Sequence, residues 1–404
     1  MKKCIFILGI IALVCLLTAQ ELQHEAVAVN IEVPVRVYRG DTFVDSLTID
    51  DFEIFEEGKL QKIDAVYLIK KTDIQRKEEV KSFTPQTFRN FYLFFEIAEY
   101  DPKIDDALQY FFHNVLQPGD NLSVITPVTT YRMKSETLQV LDKAAVTKQL
   151  QEKLRHDAWI GNSEYRAALK ELEGIARSIS GSQSGGTDVR GSRAIGTQSL
   201  DLEQQLELYA EYMQKLENLR QIEQKKLMDF AEHLKEKEGQ KNVFLFYQKE
   251  FIPQLSPGTF NRLISANVDN VNNQFAILGN FEFFKRDLPI DVEKVKQAFS
   301  DSSIAIHFLL FSTIPDKVPG LIMLEHSEDV YNAFDEMAVA TGGFTSSSGN
   351  PEFLFQGASD ASENYYLLYY TPKDYQMDGK FKKIKVQVKD QRFRVTHRAG
   401  YFAD

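Results

Sequence analysis

Apolar residues alternate strictly through Val27, Val29, Ile31, Val33, Val35 and Val37, a period of two that predicts a strand with one buried face. Pro34 points the other way and lacks a ladder donor, which predicts an edge strand or one carrying a bulge. Residues 52–55 and 63–69, separated by Glu56-Glu-Gly-Lys59, predict a hairpin, and a polar, charged linker follows over 70–89. Residues 91–95 are apolar on both faces, as suits a strand covered by helices on both sides. Asp101 then supplies an N-cap oxygen and Pro102 suits the first helical position. Behind them Ile104, Leu108, Phe111, Phe112 and Val115 recur at helical spacing. Gln117-Pro-Gly-Asp120 stops that helix, and residues 122–125 predict the next buried strand. Strand, helix and strand open an α/β sheet. Such sheets bind ligands at the carboxyl ends of their strands, which puts Glu96 to Asp101 forward as the candidate site.

Helical patterns follow over 138–155 and 165–179, and a Ser/Gly-rich stretch over 178–199 predicts a mobile loop. Residues 200–238 carry the longest helical pattern. Leu202, Leu206, Tyr209, Met213 and Leu216 keep heptad spacing, and Leu227, Phe230 and Leu234 resume it after a shift near 219–222. Three arrangements are open for it: one helix of about 58 Å projecting in part from the body, two helices packed on the sheet, or a coiled coil for a partner. Residues 243–247 are a second strand apolar on both faces, and 251–288 are loop-rich with helical patches. A helix over 290–299, a buried strand over 304–311, a helix over 329–340 closed by Thr341-Gly-Gly343 and a short helix over 351–363 complete the middle of the chain. Strands return at 365–370, at Ile384, Val386 and Val388, at Phe393 and Val395, and at 400–402. Neither residues 22–70 nor 364–404 hold enough strands to close a sheet pair alone. The chain ends are therefore expected to form one discontinuous β-sandwich, with a doubly wound, mostly parallel α/β domain over 88–362 inserted between them and itself interrupted at 155–240.

The first residues change the picture of where the fold begins. Lys2-Lys3, an apolar run over 4–17 and small residues at Thr18-Ala19 have the three regions of a secretory signal over residues 1–19. The expected location is secreted or periplasmic, with membrane contact only through an uncleaved signal or a lipid anchor; Val14 before Cys15 is not the small residue a lipid anchor would want. Both cysteines, Cys4 and Cys15, lie inside that leader, which removes disulfides and thiolate sites from the mature chain. Losing Lys2 and Lys3 moves the net charge from −11 to −13, which argues against nucleic acid as a partner. Arg39-Gly-Asp41 reads as a turn, and Gly181-Ser-Gln-Ser-Gly-Gly186 lacks the Gly-Lys-Ser/Thr ending of a phosphate loop. The chain contains no His-Glu-x-x-His, Gly-x-Ser-x-Gly or dinucleotide fingerprint, and its seven histidines are scattered, so no enzyme is expected.

Leu47-Thr-Ile-Asp-Asp-Phe-Glu-Ile-Phe-Glu-Glu-Gly-Lys-Leu-Gln61 resembles the N-terminal signature of the bacterial von Willebrand factor A-related (acidobacterial-type) domain family. Met337-Ala-Val-Ala-Thr-Gly-Gly343 is similar to that family's helix end. Asn364-Tyr-Tyr-Leu-Leu-Tyr-Tyr-Thr-Pro372, Asp378-Gly-Lys-Phe-Lys-Lys-Ile-Lys-Val386 and Arg398-Ala-Gly-Tyr-Phe402 are similar to its C-terminal signature. The resemblance implies an exported von Willebrand A-type fold that binds a protein partner in the cell envelope or extracellular space, without catalysis. Metal-binding members carry Asp-x-Ser-x-Ser after the first strand, where hydroxyls and carboxylates hold Mg²⁺ or Ca²⁺. The aligned positions here are Glu96, Ala98 and Tyr100, and the distant Asp falls near Tyr247-Gln248. The resemblance thus implies a degenerate metal site with no cofactor, its rim at Glu96, Ala98, Tyr100, Tyr247 and Gln248 meeting the partner. The alternative is a metal-dependent adhesion site using rearranged carboxylates, with Glu96, Glu99 and Asp101 as the candidate ligands beside Asp105 and Asp106.

Overall fold

The computed structural model describes residues 29–140, 142–181, 200–282, 290–315 and 317–404. The expected signal over 1–19, Val27 and residues 182–199 of the expected loop lie outside the described residues.

In chain order the strands and helices begin with β1 (Ile31–Arg39), β2 (Thr42–Phe43), β3 (Phe52–Glu56), β4 (Lys59–Gln61), β5 (Ile63–Lys70) and β6 (Asp73–Glu79). Next come β7 (Arg89–Glu96), α1 (Lys103–Tyr110), β8 (Asn121–Ile125), β9 (Thr130–Met133), α2 (Ser135–Val140), α3 (Lys143–Gly161), α4 (Ser163–Gly181), α5 (Leu202–Leu219) and α6 (Gln224–Lys235). The chain continues with β10 (Gln240–Gln248), β11 (Phe251–Leu255), α7 (Pro257–Ala266), α8 (Val271–Phe281), α9 (Val292–Asp301), β12 (Ile304–Phe311), β13 (Leu321–Glu325), α10 (Glu328–Ala340), β14 (Thr345–Ser348) and α11 (Pro351–Glu363). It closes with β15 (Asn364–Tyr370), β16 (Phe381–Val388), β17 (Arg394–His397) and β18 (Gly400–Phe402). The fold is mixed α/β with several sheets.

A central sheet runs β14-β12-β10-β7-β8-β9, parallel throughout except where β9 turns back on β8. Strands β10 and β12 are buried along their whole length, which is why their apolar residues do not alternate. Ile104, Leu108, Phe111, Phe112 and Val115 are all fully buried on one face of this sheet, together with α11 and α3. Helix α1 widens over residues 111–115, where Leu116 N–H bonds back to Phe111 C=O at 3.0 Å. Helices α6, α9 and α10 pack the other face.

The chain ends interleave. Strand β15 lies antiparallel between β1 and β5 in the order β17-β1-β15-β5-β6, and β16 lies between β3 and β18. One apolar cluster, including Val33, Val35, Ile54, Leu68, Tyr366, Leu368 and Val386, fills the space between these two sheets.

Several expectations are corrected. The hairpin joins β3 to β4, not to residues 63–69, because Glu57 and Gly58 both take positive φ (48° and 78°) and close a two-residue turn. Strand β5 crosses into the other sheet, since its residues are apolar on both faces and need the covered place beside β15. The linker over 70–89 contains β6, a mostly exposed charged strand that caps the free edge of β5. Strand β1 is flanked on both sides, but β17 pairs only from Val35 onward, so among the described residues no strand pairs with Pro34 on the side away from β15. Residues 178–181 finish helix α4. Residues 200–238 are two helices, broken at Arg220, because α5 packs on α4 and α8 while α6 packs on the central sheet through Phe230. Residues 251–282 form a strand and two helices capped by Ser256 and Asn270.

Candidate functional site

Strand β7 ends at Glu96, opposite Tyr247 on β10, and the following loop is held from outside by side chains. The Gln248 carbonyl oxygen accepts the N–H groups of Ala98 and Glu99 at 2.8 and 2.9 Å. Asn162, at the junction of α3 and α4, donates to Ile97 C=O at 2.9 Å, and Arg166 donates to Ala98 C=O at 3.0 Å. Gln248 is therefore a structural clamp of the loop. Helix α1 uses the rest: Tyr100 Oη donates to Asp105, and an Asp101 carboxylate oxygen accepts Lys103 N–H at 2.8 Å. Burial and the hydrogen bond to Asp105 push the Tyr100 phenol up. Glu99 is exposed and makes no part of this network beyond its backbone.

Glu96 faces a different environment. Burial raises its carboxyl above the ordinary glutamate range, Arg220 and Lys226 oppose that shift, and Glu250 adds to it. Arg220, at the break between α5 and α6, turns inward: its Nε donates to Glu250 Oε1 at 3.0 Å, with side chains only 6% and 5% exposed. Its guanidinium lies over the rings of Tyr165 and Tyr247, at 5.3 and 5.2 Å from their centroids. Tyr247 Oη donates to the same Glu250. Burial alone would lower the Arg220 pKa, but the surrounding Tyr247, Glu250, Tyr165 and Glu96 hold it above its usual value.

These residues do not suit an octahedral divalent ion. Ala98 offers no side-chain oxygen, the Tyr100 hydroxyl is engaged by Asp105, and a guanidinium already sits in the field of Glu96. Among the described residues no three His, Cys, Asp or Glu side chains converge as a metal site. The structure brings Glu96, Tyr247 and Arg220 together; Ala98 and Gln248 build the loop beside them, and Tyr100 and Asp101 bond to the first turn of α1. Arg220 and Glu250 were not singled out by sequence. The only trace was the heptad shift near residues 219–222, which marks the break where Arg220 sits.

Those three residues form one end of a groove of about 970 Å³. Its floor is one face of the central sheet, made by Tyr92 and Phe94 of β7, Ser123 and Ile125 of β8, and Leu245 of β10. The register places Phe94 between Leu245 and Ile125, so the apolar side chains form a row across three strands. Leu227 and Phe230 of α6 make the wall over β7. Five cationic side chains, Arg132, Lys134, Arg220, Lys226 and Lys237, line the groove against the carboxylates Glu96 and Glu223. This is a basic place on a protein of net charge −11. Among the described residues no helix is long and apolar enough to cross a membrane.

No protein-family model matches the chain, and no curated protein matches it. Among solved structures it is similar to the crystal structure of the human COPII-coat protein Sec24c, with a TM-score of 0.30 and 8% identity, over 86% of this chain and 46% of that one. The chain thus spans about half the length of the structure it matches.

Proposed function

We propose that this is an exported, non-catalytic protein-binding protein of the von Willebrand A-related kind. In this reading the central sheet is an A-type domain with a degenerate metal-ion-dependent adhesion site, inserted in a β-sandwich made by the chain ends. The parallel core of the sheet, with helices on both faces, supports the first part, and the single apolar cluster between the two terminal sheets supports the second.

The observation that carries the binding reading is the groove beginning at Glu96. A row of aromatic and aliphatic side chains half-open to solvent, rimmed by cations, suits an amphipathic segment whose apolar anchors enter the groove and whose acidic residues meet Arg132, Lys134 and Lys226. The buried Arg220–Glu250 pair satisfies its own charges beside Glu96, which leaves the rim cations to meet the partner's carboxylates. The partner is therefore a protein of the cell envelope or extracellular space, engaged without Mg²⁺ or Ca²⁺.

Photo-crosslinking from residue 226 in envelope extract tests this. The same partner should be captured with and without chelator, and Arg132→Glu should weaken capture about tenfold, as expected for loss and reversal of a charge contact. Capture abolished by chelator would install the metal-dependent reading through Glu96, Glu99 and Asp101. Equal capture from Lys148, on the exposed side of α3, would remove the groove from the account. A broad hydrolase screen of the mature protein should stay blank.

A further inference from the structure

The seam between the central sheet and the sheet of β1 and β15 contains three buried cations around one small cavity of about 10 Å³. Arg36 of β1, Lys241 of β10 and Arg398, between β17 and β18, are 3%, 6% and 7% exposed. Their hydrogen bonds go to neutral oxygens. Arg36 donates to Ala361 C=O and, at 2.9 Å, to Gly342 C=O. Lys241 Nζ donates to Leu234 C=O at 3.0 Å and Ser302 C=O at 2.8 Å. Arg398 Nη1 donates to Ser303 Oγ at 2.7 Å, and its Nε, buried, has no partner.

Among the described residues the other arginines with buried side chains are neutralised by carboxylates, Arg89 by Asp120 at 2.6 Å and Arg220 by Glu250 at 3.0 Å. Among the described residues no carboxylate stands within 4.0 Å of a charged nitrogen of Arg36, Lys241 or Arg398. Glu32 and Asp301 contribute a negative field to Arg398 and Lys241, but the Glu32 oxygens are taken by Tyr369 Oη at 2.6 Å and the Gln240 amide at 3.5 Å, and those of Asp301 by Lys235 Nζ and Phe402 N–H, both at 2.8 Å. Carbonyl oxygens satisfy N–H groups without cancelling charge, and buried charges left uncompensated are costly. Burial and the neighbouring Arg398 already draw the Lys241 ammonium down to about 8.

We propose that this cavity is a halide site: one chloride-sized anion, hydrogen-bonded by Arg398 Nε and held in the combined field of Arg36 and Lys241. The volume is that of about one water-sized position, which excludes sulfate, phosphate and carboxylates and admits a halide only with a slight outward shift of the lining side chains. The ion joins two bodies of the fold, because Arg36 and Arg398 come from the terminal strands and Lys241 from the central sheet. It therefore acts as a structural counter-ion, and its binding free energy adds to the stability of the folded state.

Thermal unfolding at constant ionic strength, in sodium chloride against sodium gluconate, is the test. At ten times its Kd the halide should raise Tm by about 2 °C, saturating with concentration. Arg398→Gln should abolish the difference between the two salts, while Lys226→Gln on the groove rim should retain it. Crystals grown in bromide should show one anomalous peak per chain beside Arg398 Nε; this measurement decides the matter if Arg398→Gln does not fold. Coincident melting curves in the two salts, or a seam position without anomalous signal, would overturn the proposal.

Discussion

Arg220 donates to Glu250 across 3.0 Å with both side chains almost wholly buried, so the break between α5 and α6 is fixed by an ion pair and not by a turn residue. Removing one partner leaves the other charged and desolvated. Arg220→Ala should cost about 3–5 kcal/mol in urea unfolding. A loss under 1 kcal/mol would show that the pair is solvated in solution.

The Gln248 side chain satisfies two backbone donors that have no other acceptor among the described residues. Gln248→Ala should therefore speed hydrogen exchange at Ala98 and Glu99 while costing about 1–3 kcal/mol of stability. Unchanged exchange at both amides would mean that the loop is held by Asn162 and Arg166 alone.

Glu96 gives a pH signature. Its folded pKa is raised by burial, so the native state binds the proton more readily than the unfolded chain. The stability this contributes is present at low pH and is lost as pH rises from the ordinary glutamate range through the raised folded value. Wild type and Glu96→Gln should be about equally stable near pH 4, and the variant the more stable at pH 7. Chemical unfolding of both proteins across that range reads the sign directly; a variant less stable at pH 7 would refute it.

Mg²⁺ and Ca²⁺ should bind at the end of β7 no better than millimolar, and Glu96→Gln should leave partner affinity within a few-fold. Isothermal calorimetry checks the first statement. Micromolar binding abolished by Glu96→Gln would mean that the site rearranges around an ion.

Strand β15 sits between β1 and β5. Deleting residues 364–404 should therefore strip protection from the amides of β1 and β5, seen by hydrogen exchange on the truncated protein. Persistent protection there would show that the N-terminal strands find another partner.

The β7–α1–β8 unit was legible because β7 is apolar on both faces, β8 keeps Leu122 and Val124 on its buried face, and the residues between them are helically spaced. Strand β6, Asp73-Ile-Gln-Arg-Lys-Glu-Glu79, was not, because an exposed edge strand is held by backbone pairing and carries no apolar alternation. The groove was invisible for a related reason. Tyr92 and Phe94 look like core in sequence, and only the place where the covering helices stop makes them floor. Arg220 reads as one more helix-surface arginine until the chain bends and turns it inward.

The pairing of Ile31 with Tyr370 sets an order of events during synthesis. The residues of β1 and β5 are made early, yet the strand that joins them, Asn364–Tyr370, follows only after the whole central sheet has been made. Contacts so distant in sequence form slowly, because a long loop must close before they repay its entropy. The central sheet contains its own strands and helices and can assemble first. Until β15 arrives, Val33, Val35, Val66 and Leu68 present unpaired apolar edges, the kind of surface that aggregates. A nascent chain halted before residue 364 should thus be a client for holding chaperones, released when residues 364–404 complete the sheet.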